Sequence, residues 1–371
     1  MLMEATLPRN AEELADAVGH AGGKGEAIEL GGLFSKHMYG GPRLPDARRI
    51  STAGMSRVLI FEPRDLTISV EAGLKWADLT VLLAQNGMMV PLDPPFSDDG
   101  TVGGVVAANV SGPRRRGYGT ARDLVIGMRF ATLDGKLIQA GGMVVKNVAG
   151  LDISKLMIGS FGTLGAIAVV NFKLIPMPSA SRTFLLQSES LEEILGQRDR
   201  IIRSVMQPVA ADILNPAAAK RVGLQGYCFA LQAAGNTAML DRWGQELDAF
   251  ESVSEDLWTR IREFTPAFLR DHRDGVVVRT SATLTGLGEV LARSPGSVVS
   301  RAANGVCYQH FSDPESVQME RQSVIEAASE RAKQELNQWP EPGSAFPVME
   351  RVKLMFDPGR LLNRGRLYGR I

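Results

Sequence analysis

PLDPPFSDDGTVGGVVAANVSGPRRRGYGTARDLVIG, residues 91–127, places many small residues beside charged ones. Residues 101–165 contain 13 glycines in 65 positions, about twice the density of the whole chain, which has 39 glycines in 371 residues. Glycine allows backbone N–H groups to crowd around an anion, because no Cβ stands in the way. The segment therefore predicts a loop cradle around a negatively charged ligand.

The composition is that of an ordinary soluble enzyme, with 44% hydrophobic and 22% charged residues. The 41 Lys and Arg residues balance the 41 Asp and Glu residues, so nothing indicates nucleic acid as the main partner. A chain of 371 residues exceeds one comfortable core and predicts about two domains.

Cysteine content and hydropathy indicate the compartment. Cys228 and Cys307 form no CxxC pair and are expected to be buried thiols in a reducing environment. The start of the chain carries Glu4 and no apolar run of signal-peptide length, and no later run reaches about 18 uninterrupted apolar residues. We therefore expect a cytoplasmic protein, or one attached to a membrane only through partner subunits.

Local patterns in the first half predict mixed helices and strands. Asn10 is typical of a helix N-cap, and residues 76–86 read as a helix that ends at a glycine. Asp134-Gly135 is typical of a hairpin turn between two strands. The β-branched and aromatic run 164–174 predicts a buried strand.

Beyond residue 179 the patterns predict strands that alternate with helices, including a strand at 306–311 and a long helix from 314 to about 336. This order favours an antiparallel sheet covered by helices on one face. The fold class expected for the chain is α+β.

Three segments in a fixed order resemble a known family. LDPPFSDDGTVGGVVAANVSGPRRRGYGTARDLVIG is followed by GGMVVKNVAGLDISKLMIGSFGTLGAI and then by FDPGRLLNRGR near the end. Together they resemble flavoproteins of the vanillyl-alcohol oxidase and p-cresol methylhydroxylase (PCMH) type. Within that superfamily the chain is similar to the FAD-binding E subunits of bacterial glycolate oxidases. The resemblance is strongest over residues 1–178.

The resemblance implies a two-subdomain PCMH-type FAD-binding domain over residues 1–178. An α+β cap domain with an antiparallel sheet is expected at residues 179–349. Residues 350–371 are then expected to form a C-terminal tail that returns toward the FAD domain.

The resemblance also implies which residues contact non-covalently bound FAD. The first glycine loop and the TVGG loop would meet the pyrophosphate and ribityl chain, and the GSFGTLGAI segment would meet the adenine end. The residues carried over by position are Gly32, Leu33, Phe34, Ser35, Lys36, Thr101, Gly103, Gly104, Ala107, Ala108, Ser111, Gly112, Gly119, Arg122, Asp123, Gly162, Ala166 and Ile167.

The first loop departs from the family pattern. Where the family usually has three consecutive glycines before Ser-Lys, this chain keeps Gly32 and places Leu33 and Phe34 in the other two positions. A Cβ narrows the conformations in which backbone N–H groups can face a phosphate. Either the loop has shifted or the cofactor is bound less tightly.

Histidines provide little evidence for covalent flavin or for a metal. His37 lies beyond the first loop and is expected to be an ordinary loop residue. The four histidines of the chain are scattered in sequence, so we predict no metal site.

The family chemistry implies oxidation of a 2-hydroxy acid, which needs a carboxylate clamp and a base. Arg279 and the run Arg114–Arg116, with Arg115 at its centre, are candidates for the clamp, although the run could equally be solvated charges or a contact with a partner. His310, with Tyr308 on the same strand face, could supply the base but reads more simply as a core histidine. Lys146-Asn147 could be polar neighbours of the isoalloxazine or could brace a loop.

The resemblance finally implies partners. We expect a larger flavoprotein subunit and an iron–sulfur subunit of a glycolate oxidase complex, with electrons leaving the flavin for the iron–sulfur partner. The alternative is a structural or regulatory subunit that keeps the fold without productive flavin.

Overall fold

The computed structural model describes residues 5–144, 152–319 and 322–371. Its helices are α1 Ala11–Gly23, α2 Trp76–Gln85, α3 Val102–Ala108, α4 Arg115–Tyr118, α5 Ala121–Leu124, α6 Ser154–Met157, α7 Leu191–Ile202, α8 Pro216–Arg221, α9 Thr237–Glu246, α10 Asp256–Arg262, α11 Phe264–Asp271, α12 Leu287–Arg293, α13 Glu330–Glu335 and α14 Phe346–Phe356. Its strands are β1 Ile28–Gly31, β2 Arg48–Ser51, β3 Val58–Glu62, β4 Thr67–Glu71, β5 Met88–Met89, β6 Val125–Ala131, β7 Leu137–Gly141, β8 Ala166–Lys173, β9 Ile175–Pro176, β10 Ala180–Ser188, β11 Ala210–Leu214, β12 Tyr227–Gly235, β13 Glu251–Val253, β14 Val276–Ser281, β15 Ser297–Arg301, β16 Val306–Phe311 and β17 Ser323–Ala328.

The chain divides into two compact units. The first unit takes the described residues of Met1–Val110, Thr120–Met177 and Glu341–Ile371, and the second takes those of Ser111–Gly119 and Pro178–Pro340. The second unit therefore includes the short segment that carries α4.

The first unit is built on a five-stranded antiparallel sheet in the order β3-β4-β8-β6-β7. The central strand β8 is buried over nearly its whole length, which accounts for the apolar run at 166–170. Phe130 and Phe172 of this sheet pack in one core with residues of α2 and α3. A separate parallel pair, β1 with β2, sets Glu29 opposite Arg49.

Local predictions in the first unit are confirmed. The Asn10 side chain accepts a hydrogen bond of 2.8 Å from the Glu13 N–H and caps α1. Strands β6 and β7 pair across the turn at Gly135, which has φ +78° and so requires glycine. Helix α2 begins at Trp76, as the sequence predicts.

The second unit contains an eight-stranded sheet in the order β13-β10-β12-β11-β15-β16-β14-β17. All its described pairings are antiparallel. One core cluster joins residues of β10, β11 and β12 to residues of α7, α9 and α12. The predicted antiparallel sheet is thus present, and with the first unit it confirms the α+β class.

The predicted long helix from 314 to 336 is wrong. A short 3-10 turn covers Pro314–Ser316, strand β17 covers Ser323–Ala328, and α13 covers only Glu330–Glu335. Burial alternates over the first four residues of SVIEAA, and Ile325 and Ala328 pack in the core beside Val278 of β14. Pairing with β14 therefore overrides the helical propensity of this alanine- and glutamate-rich segment.

Candidate functional site

A cavity in the first unit lies where three loops and the C-terminal segment meet. The loops follow β1, precede and include α3, and lead into β8. The lining residues that the sequence patterns had already singled out are Gly32, Leu33, Phe34, Ser35, Lys36, Thr101, Gly103, Gly104, Ala107, Ala108, Gly162, Ala166 and Ile167.

Gly32 of the first loop and Gly103 of the second are packed too closely against their neighbours to carry a side chain. A Cβ on Gly32 would lie 2.2 Å from the Thr101 Oγ1, and a Cβ on Gly103 would lie 2.8 Å from the Cβ of Ala72. Ser51 donates a 2.7 Å hydrogen bond to the carbonyl oxygen of Gly32 and holds that loop from the side. The backbone is therefore exposed to the cavity at positions where a side chain has no room.

Thr101 begins the second loop and caps α3. Its Oγ1 accepts a hydrogen bond of 3.3 Å from the Gly104 N–H, and its backbone pairs with Lys75 in an isolated bridge. Helix α3 ends after two turns because Asn109 takes the left-handed conformation with φ +50°. The small residues of α3 thus keep its cavity side free of long side chains.

Phe34 stands in the first loop at a position where the family pattern has glycine, and it takes a backbone conformation typical of glycine. Its φ is +56°, a left-handed value that glycine adopts freely, and its ring lies over Gly31. The guanidinium of Arg49 stands 4.0 Å from the ring centroid. The neighbouring Leu33 side chain is 41% exposed. The loop therefore keeps a conformation typical of glycine with a phenylalanine in place.

The C-terminal segment closes the cavity, and sequence reasoning missed its individual residues. The Asn363 Nδ2 donates to the carbonyl oxygens of Phe161 at 2.6 Å and Leu30 at 3.2 Å, while its Oδ1 accepts from the Leu30 N–H at 2.7 Å. Arg366 donates to the carbonyl oxygens of Lys36, His37 and Gly41. The sequence FDPGRLLNRGR indicated a basic segment but did not indicate these contacts with backbone carbonyl groups.

The charges of the lining favour an anion. Among the described lining residues, Lys36, Arg43, Arg364 and Arg366 are basic, and Glu29 is the acid. Arg43 pairs with Glu29 through two contacts, at 2.5 and 2.9 Å. The lining consequently carries a positive surplus, which suits a phosphate-bearing ligand.

A second cluster of polar side chains lies on the sheet of the second unit. Tyr308 of β16 pairs in register with Arg279 of β14, and the Arg301 guanidinium lies 5.2 Å from the Tyr308 ring centroid. Arg279 forms an ion pair of 2.8 Å with Glu326. Arg115, in α4, interacts electrostatically with both Tyr308 and Glu326. Two predicted clamp candidates, Arg279 and Arg115, are therefore brought together.

Burial and the surrounding charges shift the acids of this cluster, which we call the arginine–tyrosine cluster (Arg115, Arg279, Arg301, Tyr308, Glu326). Burial raises the pKa of Tyr308 to about 12, so its hydroxyl stays a hydrogen-bond donor at neutral pH. Burial also raises the pKa of Glu326, against the opposing effect of Arg279. The cluster thus combines fixed positive charge, a neutral donor and a carboxylate with increased basicity.

Glu326 was missed because the sequence pattern around it predicted a helix. On a helix 314–336 it would have been one of several solvated acids, whereas on β17 it reaches Arg279 of the adjacent strand. Asp212 of β11 was missed too; it is fully buried and pairs with Arg301. A buried carboxylate with an arginine partner on another strand can be recognised only once the register of the sheet is known.

His310 is a hydrogen-bonded core histidine. Its Nδ1 donates to the carbonyl oxygen of Ser297 at 3.1 Å, so Nε2 is the acceptor for the Thr265 hydroxyl at 2.8 Å. The ring is 1% exposed and packs against Phe264 and Phe268. With both nitrogens engaged away from solvent, the ring is poorly placed to act as a catalytic base.

His310 gives a pH-dependent prediction. Burial lowers its pKa from 6.5 to about 3. Between these values the unfolded chain binds a proton that the folded chain does not, so this contribution to stability is lost as pH falls below about 6.5. From pH 7 to pH 5 we expect the wild type to lose about 2 kcal/mol more unfolding free energy than His310→Gln. Urea unfolding at both pH values measures this, and equal losses would contradict it.

A comparison with protein families identifies the first cavity. The model of the family described as "FAD binding domain" matches residues 5–141. The cavity thus lies in a segment that matches an FAD-binding family. The match contains β1, the first two loops and α3, which supply most of the cavity lining.

Curated relatives of this FAD-binding chain include subunits of glycolate oxidase. It is 33% identical over 208 residues to glycolate oxidase subunit GlcE of Escherichia coli, covering 56% of this chain and 55% of that protein. It is 32% identical over 161 residues to glycolate oxidase subunit GlcD of Bacillus subtilis, covering 43% and 34%. A D-lactate dehydrogenase of Anaerostipes hadrus is 28% identical over 215 residues, covering 58% and 44%. The matches thus span between about a third and just over half of the relatives' lengths.

Solved structures show the same fold beyond the FAD binding domain. The 4-ethylphenol oxidase from Gulosibacter chungangensis, in its isoeugenol complex, matches with a TM-score of 0.72 and 14% identity over 98% of this chain and 88% of that one. An alkyldihydroxyacetonephosphate synthase matches with a TM-score of 0.71 and 17% identity over 96% and 75%. The resemblance stated from the sequence is confirmed by the family match and by the glycolate oxidase relative, and these structures, at 14% and 17% identity, add a shared fold.

The cavity fits FAD on its own geometry. Gly32 and Gly103 leave no space for a Cβ, and a Cβ on Gly162, which has φ +71°, would lie 2.7 Å from the Asn363 Nδ2. Bare backbone at these positions suits the close approach of a cofactor, and the surplus of basic side chains suits the charge of a pyrophosphate. FAD is therefore the cofactor that these residues would hold, and its non-covalent attachment stays a prediction.

Five residues carried over from the family pattern are not part of the described cavity lining. Ser111, Gly112 and Gly119 belong to the second unit. Asp123 forms a capping box with Thr120, and its pKa is lowered chiefly by the Thr120 backbone N–H. The Arg122 guanidinium donates to the carbonyl oxygen of Lys155 at 2.7 Å. These contacts give Arg122 and Asp123 local structural roles, and their contact with FAD remains a prediction.

Other predictions concern metals, membranes and the middle of the chain. Within the described ranges, no three His, Cys, Asp or Glu side chains are grouped so as to hold a metal ion. In the same part of the chain, no helix has both the length and the apolar character needed to cross a membrane. Lys146 and Asn147 lie outside the described residues.

Proposed function

We propose that this chain is the FAD-binding subunit of a glycolate oxidase or dehydrogenase complex. In this proposal a small 2-hydroxy acid, glycolate, is oxidised to glyoxylate, and the electrons pass to an iron–sulfur partner subunit. The relatives named as glycolate oxidase subunits and as D-lactate dehydrogenase support a 2-hydroxy acid as substrate. We further propose a cytoplasmic location, with any membrane attachment through partner subunits.

The observation that carries the proposal is the arginine–tyrosine cluster of the second unit. Arg279 and Arg301 lie beside Tyr308, Arg115 interacts with it electrostatically, and these three guanidinium groups exceed the two carboxylates of Glu326 and Asp212. Guanidinium groups bind carboxylates through two parallel hydrogen bonds. The cluster therefore has the composition of a site for a small monocarboxylate.

Each group of the cluster has a distinct proposed role. Arg279 and Arg115 bind the substrate carboxylate, and Tyr308 donates a hydrogen bond from its protonated hydroxyl. Glu326, whose pKa is raised by burial, accepts the proton of the 2-hydroxyl group. Bound FAD supplies the two-electron acceptor for the hydrogen on the substrate carbon. The carbon loses a hydride and the oxygen loses a proton, which balances the oxidation to a 2-oxo acid.

A spectroscopic experiment tests the proposal against the structural-subunit alternative. The purified chain, alone and with its partner subunits, is reconstituted with FAD and mixed with glycolate under anaerobic conditions. Bleaching of the oxidised flavin bands supports the enzyme. A complex that binds FAD but is not bleached by glycolate or D-lactate contradicts it and favours the structural or regulatory role.

The proposed binding of the substrate carboxylate by Arg279 predicts the effect of replacing this residue. We expect Arg279→Gln to lower kcat/KM for glycolate by about 30- to 100-fold, because one charged hydrogen-bond partner of the carboxylate is lost. FAD affinity should not change, because Arg279 is in the second unit. The matched control is Arg293→Gln, since Arg293 is 79% exposed and pairs with Glu289 on α12. Steady-state kinetics and FAD titration measure both, and equal losses in the two variants would contradict the clamp.

A further inference from the structure

Position 34 combines a left-handed backbone with a bulky side chain. Phe34 has φ +56°, and aromatic residues rarely adopt this conformation because the Cβ crowds the backbone. Such strain persists only where the surroundings determine the conformation. Phe34 lies in the loop 31–37, which lines the FAD cavity throughout.

The surroundings hold the Phe34 ring on two sides. On one side is Gly31, where a Cβ would lie only 2.5 Å from two ring carbons, so the absence of a side chain makes room for the ring. On the other side is the Arg49 guanidinium, 4.0 Å from the ring centroid. This distance is typical of a cation–π contact.

Arg49 is itself fixed in place by the first unit. It lies on β2 directly opposite Glu29 of β1, and its Nε is 3.1 Å from a Glu29 carboxylate oxygen. The same carboxylate receives both contacts from Arg43. Phe34 therefore rests on an arginine that a strand pair and an ion-pair network hold still.

We propose that Phe34 is a positioning residue that sets the first loop in its FAD-binding conformation before the cofactor arrives. A glycine loop is mobile when empty and loses that freedom on binding, which opposes affinity. The Phe34–Arg49 stack orders the loop in the empty protein and offsets the strain at position 34. Leu33-Phe34 thus makes FAD binding tighter, contrary to the expectation from the missing glycines. This inference rests on the cavity's holding FAD and is independent of the substrate.

The test uses variants of Phe34 that separate the effect of the aromatic face from the effect of side-chain bulk. Phe34→Tyr keeps an aromatic face, Phe34→Leu keeps apolar bulk and the Cβ but loses that face, and Phe34→Gly removes both strain and stack. We expect the FAD dissociation constant of Phe34→Tyr to stay within about 2-fold of the wild-type value. We expect Phe34→Leu and Phe34→Gly to raise the dissociation constant about 10-fold. The dissociation constant is measured from quenching of FAD fluorescence.

Two further measurements separate positioning from general destabilisation. Hydrogen exchange of the backbone amides at 32–37 is measured in the empty protein, and among the variants at position 34 we expect it to quicken only in Phe34→Leu and Phe34→Gly. Arg49→Gln should weaken FAD binding as Phe34→Leu does, and the double variant should add little, because both remove one stack. The control is Arg48→Gln, which removes only the neighbouring ion pair with Glu26.

The proposal is overturned if Phe34→Gly binds FAD as tightly as the wild type or more tightly. It is also overturned if exchange at 32–37 is unchanged in Phe34→Leu. Because these measurements need no substrate, a failure of glycolate oxidation leaves them unaffected, and their failure leaves the glycolate experiment open.

Discussion

Gly32→Val is expected to weaken FAD binding by about 5- to 150-fold. A Cβ at position 32 would lie 2.2 Å from the Thr101 Oγ1 and 2.6 Å from its Cγ2. Thr101 cannot turn away without cost, because it is 2% exposed and its Oγ1 caps α3 through the Gly104 N–H. Overpacking of this kind costs about 1–3 kcal/mol, and about 3 kcal/mol corresponds to a factor of roughly 150 in the dissociation constant.

The effect of Gly32→Val on FAD is separable from an effect on folding. The control is Gly23→Val at the end of α1, where an added Cβ meets no atom within 4 Å. Fluorescence titration with FAD should show near wild-type affinity for this control, and circular dichroism should show both variants folded. If Gly32→Val binds FAD as the control does, the close approach of the first two loops is not needed for the cofactor.

A compensating variant identifies Thr101 as the cause. Thr101→Gly removes the three atoms that overlap with a side chain at position 32, and glycine is a tolerated N-cap residue. We expect the double variant Gly32→Val with Thr101→Gly to recover part of the lost affinity. No recovery would place the obstruction elsewhere in the cavity.

The sequence was sufficient for features that depend on local backbone chemistry. Left-handed or crowded positions favour glycine, so the loops around Gly103 and Gly162 and the hairpin at Gly135 could be located from composition and order alone. The resemblance of the loop segments to one superfamily then supplied the cofactor. Both signals are encoded within short stretches of chain.

The sequence was insufficient where function depends on contacts between distant segments. Asn363 reaches Leu30, which lies 333 positions earlier, and no local pattern encodes that contact. Glu326 was not predicted as a site residue, because its segment has helical propensity and the pairing with β14 overrides that propensity. At Phe34 the family pattern suggested a weaker site, whereas the supporting Arg49 comes from a strand that the pattern did not include.

Lys353→Met is expected to destabilise the protein by about 3–5 kcal/mol. Lys353 of α14 is 1% exposed, and its Nζ donates to the Asp357 carboxylate at 2.6 Å and to the carbonyl oxygens of Thr163 at 2.7 Å and Leu362 at 3.1 Å. Burial lowers the pKa of Lys353, and the Asp357 carboxylate opposes this effect. Removing one partner of a buried ion pair costs this much because it leaves the other charge uncompensated.

The same contacts connect Lys353 to the FAD cavity. Thr163 lies in the loop that leads into β8, and Leu362 directly precedes Asn363 in the segment that lines the cavity. Asp357 also accepts hydrogen bonds from the Leu361 and Leu362 N–H groups. Lys353→Met should therefore weaken FAD binding as well, because the C-terminal segment loses the anchor that holds it at the cavity.

Urea unfolding of the empty protein measures the effect on stability. The matched control is Arg351→Met on the exposed side of the same helix, which should change the unfolding free energy by less than about 0.5 kcal/mol. Adding Asp357→Asn to Lys353→Met should restore part of the stability, because the uncompensated carboxylate is removed while an acceptor oxygen remains. If the double variant is less stable than Lys353→Met alone, hydrogen bonds from the backbone to Asp357 outweigh the buried charge, and the ion pair is not the main source of the loss.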